Sequence, residues 1–206
     1  MVFSPRAAFA LARRLRAPGG APLGDVMSFV SGLYFRGTLA YARAFARPPD
    51  PACPIAAGGV LVITPHLGLV AADLPVTLAG LRAAARVDIR ADNRRYRRPL
   101  EATAHALAAR VGENTDVVLL GSVASDKYVA VLGAIFGARL KFPLEFVGRG
   151  DMSRGGLLLR CVREGRELTY VPVAGSARHG ARPPRLTPSR RPEPAGTLRQ
   201  PAGAGA

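Results

Sequence analysis

Three histidines are all that the chain offers for proton exchange near neutral pH. His66, in TPHLGL, directly follows a continuous apolar run, so an acid–base role stands beside the plainer reading of a structural hydrogen-bonder. His105 lies in an alanine-rich stretch and His179 among prolines, glycines and arginines, so neither competes with it. Glu145, at the end of another apolar run, is the second candidate for acid–base work. No serine or carboxylate stands at a spacing that would fix a triad around His66.

Anion chemistry is written more densely. EFVGRGDMSRGGLLLRCVREG (residues 145–165) reads as a strand, a glycine-rich turn and a helix start. Free backbone N–H groups at such a start hold anions, aided by the helix dipole. Gly148, Arg149, Ser153 and Arg154 are the candidate ligand-binding residues, the arginines matching phosphate or carboxylate bidentately. Asp151, read as the capping residue, opposes this by taking the same N–H groups. Gly155 and Gly156 also fit close backbone packing. The glycine spacing is neither the dinucleotide fingerprint nor a Walker A loop. GSVASDKY supplies Gly121, Ser122, Ser125, Lys127 and Tyr128, suited to a sugar or phosphate or simply to an ordinary serine N-cap. RADNRRYRRP (90–99) gathers five arginines around Tyr96. As a loop it would grip phosphates or a nucleic-acid backbone, with Tyr96 free to stack, or else be a solvated basic segment.

The elements that would position these residues alternate. GGVLVIT (58–64), TDVVLLGS (115–122), KFPLEFVG (141–148) and ELTYVPV (167–173) read as strands. Helical patterns fall at 33–46, 99–112, 125–137 and 151–165, with a helix expected to begin at 152 after a turn at 149–151. The order predicts a three-layer, mostly parallel α/β sheet with helices on both faces, Rossmann-like in plan. Its ligand site is expected where loops leave the strand carboxyl ends.

The formal charge is +15, but only Lys127 and Lys141 are lysines among 29 basic residues. Residues 1–24 carry four arginines and no acid, and residues 175–206 carry six arginines and one acid, so the ends supply +9. Residues 25–174 are therefore expected to be the α/β domain. Residues 1–24 read as a basic extension, disordered or non-native, and residues 175–206 as a disordered Pro/Gly/Arg-rich tail. Two dissimilar cysteines predict free thiols and a cytoplasmic setting, without a metal site. No apolar run is long enough for a membrane span. No motif names a cofactor.

LYFRGTLAYARAFA, VLVITPHLGLVAAD, DVVLLGSVASDKYVAVL and FPLEFVGRGDMSRGGLLLR together resemble a small bacterial and phage family of domains of unknown function. They are also similar to the peroxide-stress protein YaaA, over about residues 33–160. YaaA is associated with DNA binding and iron control, but the family has no settled activity. The resemblance therefore implies the fold and the place of the site, and draws interest to Tyr34, Phe35, Arg36, Gly68, Gly121, Tyr128, Glu145 and Gly148. Where that family has a Lys-His pair, this chain has His66-Leu67. Two functions follow as expectations. One is binding of a nucleotide, nucleoside or sugar phosphate at the strand ends. The other is a nucleic-acid-binding or stress-response protein without catalysis.

Overall fold

A computed structural model describes residue 2, residues 4–123 and residues 126–184. Of the expected tail, residues 185–206 lie outside the described residues. Residues 4–24, read from the sequence as extension, carry α1 (Ala10–Arg16) and a short strand β1 (Ala21–Pro22). Ala12, Leu15, Ala21 and Val26 form a small apolar cluster there. The chain continues through α2 (Leu23–Val30) and α3 (Gly32–Phe45) to the hairpin β2 (Leu61–Thr64) and β3 (Gly68–Ala71). Next come β4 (Pro75–Val76), paired with β1, and the helices α4 (Leu78–Ala84) and α5 (Arg94–Val111). Strand β5 (Val117–Val118), α6 (Asp126–Phe136), β6 (Leu140–Pro143), α7 (Asp151–Glu164) and β7 (Tyr170–Pro172) complete it.

The parallel three-layer sheet expected from the sequence is not the fold. Among the described residues there are two two-stranded sheets and one of three strands, ordered β5-β6-β7. Only β5 and β6 pair in parallel, and every other pairing is antiparallel. The reasons are local. VLVIT does reach a strand end at Thr64, but TPHLG then folds it back instead of starting a helix. Gly68 makes this possible with φ near 71°, a conformation that residues with a Cβ rarely adopt. Leu61 then faces Ala71 and Thr64 faces Gly68 in an antiparallel register. KFPLEFVG stops pairing at Pro143 and tightens into a 3₁₀ turn over Leu144–Phe146. After α7, β7 returns antiparallel to β6, with Phe142 opposite Val171.

The helical expectations fare differently. α3, α6 and α7 lie where apolar periodicity put them, while α5 begins at Arg94, five residues before Pro99. Asn93 caps it by accepting from the Arg95 N–H. Most of the buried side chains form one core. Tyr41 of α3, Tyr96 and Leu100 of α5, Phe136 of α6, Phe142 of β6 and Leu158 of α7 meet there. α3 and α7 pack backbone to backbone. A Cβ on Gly155 would lie 2.7 Å from the Leu33 carbonyl oxygen, and one on Gly37 would lie 2.5 Å from the Gly155 carbonyl oxygen. Gly37, which weakens α3 as an isolated helix, is therefore what lets α7 approach.

Candidate functional site

Because β5 and β6 run in parallel, their carboxyl ends share an edge, and two of the three candidate loops leave from it. These are residues 119–123 and residues 144–150. α7 starts at this edge with Gly150 as its N-cap and no side-chain cap. Asp151, expected to cap the helix, is instead its first residue and is exposed. It does not occupy the N–H groups of the first turn.

Arg154 is the unusual residue of the corner. Its side chain is only 8% exposed, and it lies one turn into a helix that is otherwise buried through Gly155, Leu157, Leu158 and Cys161. One Nη donates to the Phe146 carbonyl at 3.2 Å, and the guanidinium stacks over the Phe146 ring at 5.2 Å. Its carboxylate neighbour is Asp151, 3.7 Å away and itself 65% exposed. The buried Nε has no hydrogen-bond partner among the described residues. Beyond these partners and the neutral Tyr34 hydroxyl beside it, this buried cation has no further compensation among the described residues, which is costly. Arg149 sits beside it with neutral partners only. Its Nε donates to the Glu145 carbonyl at 3.0 Å and an Nη to the Ser153 hydroxyl at 3.3 Å.

Tyr34 reaches this corner from α3. Its hydroxyl donates to the Leu120 carbonyl at 2.8 Å, tying α3 to the end of β5 beside Gly121 and Ser122. Burial pushes the Tyr34 hydroxyl above the usual tyrosine range, and the Arg154 charge beside it pulls the other way. Tyr128 also lies close enough to act on Tyr34 electrostatically. Lys127 places its ammonium 5.0 Å above the Tyr128 ring, while its carbonyl accepts from the Tyr96 hydroxyl at 3.0 Å. Ser125 lies outside the described residues.

The remaining candidates are placed elsewhere. His66 sits in the turn between β2 and β3, and no hydrogen bond or ion pair among the described residues joins it to the α7 corner. Its buried Nδ1 has no partner there. Gly68 packs its backbone against the Pro99 carbonyl and the Thr103 hydroxyl of α5. Thr103 also accepts from the Leu69 N–H at 2.9 Å, so this glycine seats the hairpin on α5. Glu145 is in the 3₁₀ turn and accepts from the Thr169 N–H at 3.3 Å. Its other carboxylate oxygen is buried and unpartnered among the described residues. Phe35 and Arg36 stay on α3, with Phe35 packed against the cluster of Leu23, Leu39, Val62 and Ala72.

From Arg94 onward the arginine stretch is helix, not loop. Tyr96 is fully buried, so it cannot stack on a base, and burial raises its hydroxyl far above the usual range. Arg94, Arg95, Arg97 and Arg98 are exposed around it. Arg178 was not expected at any site. It donates to the Val123 carbonyl at 3.3 Å and to Asp126 at 3.1 Å, both flanking the α6 start. Its stretch, AGSARHGARPP, carries no apolar periodicity that could have placed it. Among the described residues no three His, Cys, Asp or Glu side chains cluster as metal ligands, and no helix is long and apolar enough to cross a membrane. The chain matches no protein-family profile, no curated protein and no solved structure.

Proposed function

We propose that the corner at the start of α7 binds a small phosphate-bearing molecule, of the nucleotide or sugar phosphate class. The observation that carries this reading is Arg154, a buried guanidinium with an unpaired Nε and one distant, solvated carboxylate. Arg149 adds a second cation on neutral partners, and the uncapped first turn of α7 adds N–H groups. A phosphate there would compensate both charges. Gly121 and Ser122, at the neighbouring strand end, would face the rest of the ligand. The role is binding, and no residue is assigned to catalysis: His66 lies apart and Glu145 turns toward Thr169.

Calorimetry of the full chain with pyrophosphate and a set of nucleotides tests this. Arg149→Ala, at a half-buried residue, is expected to keep the fold and to weaken binding at least about tenfold. Arg154→Lys keeps the charge but loses the fork and is expected to weaken it as well. Unchanged affinity in both variants rules the assignment out.

A second reading has its own observation. Arg94, Arg95 and Arg98 project from the first turns of α5 without a side-chain partner among the described residues, although Arg97 pairs with Glu101 at 2.6 Å. An exposed row of this kind suits the phosphate backbone of a nucleic acid.

A further inference from the structure

Beyond β7 the chain does not leave the surface directly. The Val173 N–H still bonds to the Leu140 carbonyl at 2.8 Å, after which residues 174–178 run along α6 towards its start. Between them lies a groove of about 390 Å³, with Val129, Gly133 and Gly137 on the helix side. Arg178 then fastens the segment to the Val123 carbonyl and to Asp126. From there it crosses to the β6 edge. Gly180 packs so close to Val147 that a Cβ on it would lie 2.7 Å from a Val147 methyl. The Ala181 carbonyl presses on the Gly148 backbone, and the Pro184 carbonyl accepts from an Arg149 Nη at 3.5 Å.

We propose that residues 175–184 are an internal competitor, a strap whose carbonyl oxygens occupy the turn before α7 where the oxygens of a phosphate would bind. The inference rests on the phosphate reading of that corner. A carbonyl satisfies Arg149 as a hydrogen-bond acceptor but brings no charge, so a phosphate makes the stronger partner once the strap is lifted. Little holds the strap down. Most of its residues are exposed, and Arg178 supplies two of its hydrogen bonds, the third being the long one from Arg149 to the Pro184 carbonyl. Segments with few buried apolar contacts open at low cost. A ligand that binds only the open state then has its affinity reduced by the fraction of molecules that are closed.

The test uses the full chain, inorganic pyrophosphate as probe and calorimetry as readout. Arg178→Ala removes a positive charge near the site, which on electrostatics alone would weaken anion binding. Release of the strap acts in the opposite direction, and pyrophosphate is expected to bind about tenfold tighter. Gly180→Leu, which wedges the segment away from Val147 without changing charge, is expected to act in the same sense. Hydrogen exchange separates a competitor from a cover that closes over ligand: pyrophosphate should speed exchange across residues 176–184 of the unaltered chain. Affinity unchanged or weakened in both variants, or slower exchange with pyrophosphate, overturns the strap and leaves the site standing. If none of the three proteins binds pyrophosphate, the phosphate reading fails and the strap falls with it.

Discussion

Arg154 and Tyr34 show how chemistry at this corner depends on side chains that arrive from different distances. Arg149, Ser153 and Arg154 are near neighbours on one helix start, so their grouping is legible in the sequence. Tyr34 lies 86 residues before Leu120, and nothing in the spacing announces that contact. The two cysteines make a residue-scale prediction. Cys161 is fully buried in the core, and burial pushes its thiol above the usual range, so little thiolate forms and none is accessible. Cys53 is half-buried. Iodoacetamide applied to the native protein should therefore label Cys53 well before Cys161, as read by peptide mass mapping. Equal labelling rates would show that the core around Cys161 opens readily.

The contact between α3 and α7 decides how the elements hold the site. Gly155→Val would drive a branched side chain into the Leu33 carbonyl and the Tyr34 Cα, which are backbone and cannot swing aside. The expected cost is about 3 kcal/mol, at the upper end of overpacking, and it appears as a lowered melting temperature. Gly133 of α6 is the contrast, because a Cβ there meets nothing within 4 Å. Gly133→Ala should stabilise the protein by roughly 1 kcal/mol. A Gly155→Val protein as stable as the parent would refute the close packing. Helices were legible because their 3.6-residue periodicity and glycine stops are local. Strand direction was not: VLVIT has the same apolar face whether a helix or a hairpin follows it. The outcome turned on Gly68, where a Cβ would collide with the Pro99 carbonyl and the Thr103 hydroxyl of α5. Tyr96 misled for a related reason, since an arginine-rich run looks solvated until its one aromatic is seen to anchor α5 in the core.

Across the whole molecule the net charge of +15 is unevenly placed. Seven arginines and two aspartates fall within residues 82–98, and those from Arg94 onward lie on the exposed side of α5. With Tyr96 inside, this face offers charge without an aromatic platform. It therefore suits a duplex backbone better than unstacked bases. Each phosphate contact contributes about 0.9 to the slope of log affinity against log salt. Replacing Arg94, Arg95 and Arg98 with Gln in the full chain should flatten the slope for a short labelled duplex by about 3, on the assumption of one phosphate per arginine. Fluorescence anisotropy across a salt series measures it. The control carries the same charge loss at exposed arginines elsewhere, Arg6→Gln, Arg13→Gln and Arg163→Gln. An equal change in the control would assign the effect to net charge alone. No duplex binding by the unaltered chain at low salt would remove the nucleic-acid reading while leaving the α7 corner to its own test, because the two sites draw on different arginines.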